Sequence, residues 1–343
     1  MTAHRVAFAA AAALSLFSAV TLVAQDALTP REWQVPFGGA RGRPRDPVMD
    51  AAGRVWFVGQ AGNYVAYLDS RSGEFKRYAI DDGTGPHNIS LDERGGVWFT
   101  GNRNGALYSL DPASGALKRI ALDAAVRDPH TMIWTQDGIA WFTAQQSNYV
   151  GRLDRASGAV RLWRIAENGA RPYGIVVDKS GRPWFDLFGT NRIGTIDPRT
   201  LELREYTLPA DRARPRRIAL TSDGGVWYGD YSRGYLGRLD PATGRVEEWP
   251  MPSGAASLPY AMTSDDRDRL WLVETGVQPN RLVAFDPSSH QWVANMPIAS
   301  NGAAANTVRH MTFDARSRQI WFGTDAGTIG RVAVPLEMRA LVP

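Results

Sequence analysis

GPHNISLDERGGVWFTGNRNGALYSLDPASGALKRIAL, residues 85–122, reads as four short strands joined by three turns. In HNISLD the apolar residues Ile89 and Leu91 alternate with polar ones, the period of a strand. ERGG is a turn, and VWFT is dense in β-forming residues. NRNG turns the chain again, and ALYSLD is a third strand. PASG places Pro early in a turn and Gly where a positive φ is needed. ALKRIAL closes the unit with the polar character of an outer edge. The phrase around Trp98 recurs at Trp56 (GRVWFVG), Trp141 (GIAWFTA), Trp184 (GRPWFDL), Trp227 (GGVWYGD), Trp271 (DRLWLVE) and Trp321 (RQIWFGT), at gaps of 42, 43, 43, 43, 44 and 50 residues. A β-rich repeat of that length predicts an all-β, seven-bladed propeller of four-stranded blades.

The ends of the chain fit this ring. After GTIGRVAV the seventh repeat has no fourth strand. An unused outer-strand phrase, REWQVP, stands at Arg31 to Pro36, before the first repeat. The N-terminal strand is therefore expected to complete the last blade and close the ring, which removes an exposed blade edge. The segment Ala299 to Val308 is the one sizeable insertion.

Residues 1–24 read as an export signal: His4 and Arg5, then an apolar stretch from Val6 to Val23 that ends in small residues before Gln25. Residues 25–343 form one propeller domain, expected to be periplasmic or secreted and, after signal cleavage, a monomer without membrane attachment. The sequence has no cysteine, which excludes disulfides and thiolate metal sites. The net charge of +4 comes mostly from arginine interspersed with Asp and Glu, with only Lys76, Lys118 and Lys179 as lysines. No concentrated basic stripe marks a nucleic-acid partner.

Each repeat opens on a residue that lies 11 positions before its Trp, or 12 in the last repeat: Arg45, His87, His130, Tyr173, Arg216, Tyr260 and Arg309. Six of them follow a proline. Because the first strand of a propeller blade lines the central channel, these seven are expected to encircle one channel mouth as a ligand-binding ring. The second strand returns to the same face and ends near Gln60, Asn102, Gln145, Asp186, Asp230, Glu274 and Asp325. Arg45, Arg216 and Arg309 should then neutralise Asp230, Glu274 and Asp325 as buried ion pairs. His87 and His130 sit on neighbouring blades and are the candidate acid–base pair. His310 follows the ring position and should point into the blade core or the adjacent packing layer, since strand neighbours face opposite ways. His290 is expected on an outer strand at the surface.

RPYGIVVDKSGRPWFDLFGTNRIGTIDPRTLELREYTL (171–208) and YVGRLDRASGAVRLWRI (149–165) resemble the repeats of the virginiamycin B lyase, or streptogramin lyase, family. The likeness runs from about Arg31 to Val334. It implies a seven-bladed propeller that opens a cyclic depsipeptide at its ester by elimination, with a magnesium ion and a histidine base. Carried over by position, the base becomes Arg309 and a second histidine becomes Tyr260. An acid survives as Asp325, and Glu274 is kept. With Asp230, these acids are the candidate magnesium ligands. An arginine stays protonated near neutrality and cannot accept the α-proton.

Three readings follow. In the first, an exported propeller binds an anionic or oxygen-rich small molecule or peptide at the channel mouth. In the second, a divergent magnesium-dependent carbon–oxygen lyase uses His87 or His130 as base. In the third, the propeller is an interaction scaffold for another exported protein.

Overall fold

The computed structural model describes residues 28–38, 42–298 and 307–341. The expected export signal and most of the Ala299 to Val308 insertion lie outside the described residues. Seven antiparallel four-stranded sheets, blades I to VII, surround a central channel. The innermost strands are Pro44–Met49, Pro86–Leu91, Pro129–Trp134, Pro172–Val177, Pro215–Leu220, Pro259–Ser264 and Val308–Asp314. In blade VII the outer strand is Arg31–Gln34, which pairs antiparallel with Thr328–Ala333 as Arg31↔Arg331 through Gln34↔Thr328. The expected closure by the N-terminal strand is present.

The repeated phrase has a physical cause in each part. Its tryptophan is buried between blades and, in five of the seven repeats, tied to the preceding turn. The Asp50 carboxylate accepts from the Ala52 and Arg54 amides at 2.9 and 3.0 Å and from Trp56 Nε1 at 2.8 Å. Asp92 with Trp98, Asp178 with Trp184 and Asp265 with Trp271 repeat the pattern at 3.0, 3.3 and 2.9 Å, and Thr221 replaces the acid for Trp227 at 2.9 Å. The aromatic residue after the Trp explains the Gly of the third strand. Phe142, Phe185, Tyr228 and Phe322 lie opposite Gly151, Gly194, Gly237 and Gly330. A Cβ at Gly151 would stand 2.1 Å from the Phe142 ring, so only glycine lets the ring lie flat on the strand.

The core is divided among the blade interfaces. Trp56, Val58 and Val65 of blade I pack on Ile89, Phe99 and Tyr108 of blade II. The same arrangement passes round the ring to Trp321 and Ile329 of blade VII, which pack on Val55, Phe57 and Tyr64 of blade I. Each side chain of this kind contributes about 1.5–3 kcal/mol when fully buried. His290 is exposed, as expected, but occupies the turn before the outer strand of blade VI, at φ 54°.

Candidate functional site

One irregularity shared by all blades builds the channel mouth. Every innermost strand has a register shift against its neighbour that contains the ring position or, in blade I, directly follows it, for example between Pro129↔Ala144 and Met132↔Phe142. Two residues on one strand oppose one on the other, which is a β-bulge, and side-chain alternation is suspended there. Two successive residues per blade can therefore approach the axis.

The seven ring residues do converge. The His87 and His130 rings lie 3.7 Å apart centre to centre, and His130 lies 4.1 Å from Tyr173. The Tyr173 and Tyr260 hydroxyls hydrogen-bond to each other across the mouth. Arg45 Nη1 donates to Gln60 Oε1 at 2.5 Å. Arg309 forks onto Asp325, with Nε and Nη2 donating at 3.1 and 2.6 Å. Arg216 is held differently. Its guanidinium carbon stands 3.7 Å from the Tyr260 ring centre, 4.2 Å from Tyr231, 4.6 Å from Phe188 and 5.4 Å from Tyr173. It makes no ion pair among the described residues, and its Nε, though buried, has no hydrogen-bond partner.

The expected neutralising network is only partly formed. Arg309 and Asp325 pair, but Asp230 and Glu274 look elsewhere. Asp230 accepts from the Arg214 amide at 3.0 Å and pairs with Arg233 at 3.1 Å. Glu274 accepts from the Ser253 amide and hydroxyl at 2.8 and 2.6 Å. These acids end their strands, and the turns that follow or face them supply nearer donors than the ring does. Asp230, Glu274 and Asp325 therefore do not gather at one point. No group of three or more His, Asp or Glu side chains able to hold a metal occurs among the described residues. With Asp325 already clasped by a guanidinium, the residues present do not fit a magnesium ion at the positions the family resemblance indicates.

His310 also departs from expectation. The bulge turns it toward the channel, where it lines a cavity with Arg217. Arg217 was missed for the same reason. It is 3% exposed and reaches across the axis from blade V. Its Nε donates to the Arg309 carbonyl and its Nη1 to Thr131 Oγ1, both at 3.3 Å. Asp46 and Asn88 belong to this second layer, with Asn88 Nδ2 donating to Asp46 Oδ2 at 2.9 Å. A signal for the layer was present: five of the seven blades carry two consecutive polar residues at the mouth, Arg45-Asp46, His87-Asn88, His130-Thr131, Arg216-Arg217 and Arg309-His310.

The mouth is electropositive. Burial pushes both His87 and His130 well below the ordinary histidine range, and Arg45 and Arg217 add to the effect, so both imidazoles are neutral at pH 7. Burial also drives the Asp186 carboxyl well above its ordinary range, toward the uncharged form. Burial works to raise the Tyr260 phenol, but Arg216, Arg45, Arg309 and Arg217 outweigh it and draw it down. Arg45, Arg216, Arg217 and Arg309 thus face chiefly Asp46 and Asp325.

A sequence model of the virginiamycin B lyase family matches residues 74–339. No curated protein matched the sequence. Among solved structures, the selenomethionine-substituted virginiamycin B lyase from Staphylococcus aureus superposes with a TM-score of 0.79 at 22% identity, covering 90% of this chain and 100% of that one. The extracellular domain of a hybrid two-component system protein from B. thetaiotaomicron gives 0.69 at 16% identity, over 90% of this chain and 43% of that one. YCF48 bound to D1 peptide gives 0.68 at 13% identity, over 89% and 95%. At these identities the structural likeness speaks for the fold, and the family match carries the assignment: the chain belongs to the virginiamycin B lyase family.

Proposed function

We propose that this protein is an exported binding propeller of the lyase fold, which captures an anionic or oxygen-rich small molecule or peptide at the ring face. The observation that carries this reading is Arg216. A guanidinium at the channel mouth, stacked on aromatic faces and without a carboxylate partner, is preorganised to meet a carboxylate or phosphate through charge-assisted hydrogen bonds. The aromatic rings fix its position and also add contact surface, the combination that commonly carries binding energy.

Retention of the lyase reaction is the weaker reading. Arg309 occupies the position of the family's base and is engaged with Asp325. His87 and His130 are 4% and 2% exposed and stand among arginines. A base whose conjugate acid is that unfavourable takes a proton poorly, because catalytic proton transfer works best with a pKa near the working pH.

The test is a thermal-shift screen of the full chain with small carboxylates, phosphates and acidic peptides, repeated with Arg216→Met. Methionine keeps apolar bulk against the rings and removes the charge. Ligands of the ring should raise the Tm of the wild type by mass action and lose that effect in the variant. Hits that act equally on both proteins, or the absence of any anionic hit, would overturn the proposal.

A further inference from the structure

The channel has a second chamber, on the far side of the ring. Its cavity of about 290 Å³ is walled by Ile133, Ile175, Ile218, Met262 and Met311. Val177 and Leu220, near the ends of their innermost strands, form its rim and are shared with a larger groove between blades IV and V. The chamber therefore opens on the face of the turns that follow those strands, opposite Arg216 and Arg309. From Arg217 to Leu220 the wall is roughly 10 Å deep at about 3.3 Å per residue.

Arg217 and His310 stand at the closed end. Arg217 Nη2 is buried and bonds to nothing, although Nε and Nη1 are both used. Arg217 makes no ion pair among the described residues; in the same layer Asp46 Oδ1, 3.9 Å from Arg45 Nε, and Asp186 Oδ1 accept no hydrogen bond. His310 Nδ1 is a further buried, unpartnered atom. Burial is the main force holding that imidazole down, to about 4, against the pull of Asp46, so at pH 7 it is neutral and can donate one N–H. A buried donor without an acceptor is costly to maintain. Water can satisfy the N–H, but it gains nothing from the apolar walls.

We propose that this chamber is a second ligand site, for a monocarboxylate with a short apolar tail, the carboxylate accepting from Arg217 and the tail lying along the isoleucine and methionine walls. A cavity at the lower end of the usual ligand-pocket range suits a small amphiphile. The site does not depend on the ring-face reading, because the two openings lie on opposite faces.

Octanoate is the probe, with 1-octanol as the uncharged control, in calorimetric titrations of the full chain. Octanoate should bind about tenfold or more tightly than octanol, the contribution expected of hydrogen bonds to a charged group. Arg217→Gln should abolish that preference. Leu220→Trp at the half-exposed rim should block entry while leaving the circular dichroism spectrum unchanged, which keeps the test decisive if Arg217→Gln fails to fold. Octanoate binding that survives Leu220→Trp and is lost in Arg216→Met would belong to the ring face instead. Equal binding of octanoate and octanol, octanoate binding that Leu220→Trp does not affect, or no binding at millimolar concentration would each overturn the site.

Discussion

A single carboxylate ties the first turn of blade I to its tryptophan. Burial alone would raise the Asp50 carboxyl; hydrogen bonds from the Trp56 indole and from the Arg54 amide and guanidinium bring it below its ordinary range instead. Asp50→Ala would strand these donors and should lower stability by about 2 kcal/mol at neutral pH. Because the folded-state pKa is depressed, the contribution is complete above the unfolded value of about 3.9 and is lost as the pH falls through the folded one. Denaturant titrations of wild type and variant should therefore differ at pH 7 and converge in strong acid; a gap that stays constant through the acid range would contradict the role of the ionised carboxylate. At this scale the sequence was unevenly readable. The ring from Arg45 to Arg309 stands out because each member keeps its distance from a tryptophan. Arg217 and His310 did not stand out, because strict strand alternation sends them away from the channel and a bulge does not. The pairing of Arg216 with aromatic rings was also hidden, since Phe188 and Tyr231 lie in loops whose spacing carries no repeat signal.

The N-terminal strand is the element on which ring closure depends. Arg31–Gln34 supplies the outer edge of blade VII, and Trp33 stacks on Trp321 with ring centres 5.7 Å apart. Arg31 and Arg331 lie over the Trp33 ring at 4.7 and 5.3 Å. Beginning the chain after Pro36 would expose the edge of Thr328–Ala333 and one face of Trp321 together. Such a protein should melt several degrees lower or aggregate, since unpaired edges recruit other chains. Unchanged melting and a monodisperse profile in size-exclusion chromatography would contradict this. The strand and its partner were legible because the seventh repeat ends one strand short and the surplus phrase lies at the other end of the chain. The bulges were not, because each adds a single residue inside a strand whose length varies little.

As a whole molecule the propeller separates what holds it together from what it can bind. The tryptophans and the glycine-facing rings belong to the blade interfaces, and their phrases announce the family. The channel is lined by the residues between those phrases, and there this chain differs: arginine and tyrosine stand where the resemblance places two histidines, and no group of acids is left to hold a metal among the described residues. Fold and chemistry have separate sequence carriers, so one can be retained without the other. The most direct test is to incubate the purified protein with magnesium and a streptogramin B substrate and to follow the cyclic ester chromatographically, since elimination within the ring leaves the mass unchanged. The cyclic compound should remain intact over times in which a lyase of this family consumes it; ring opening at an enzymatic rate would contradict the loss of lyase chemistry and make His87 and His130 the first residues to replace.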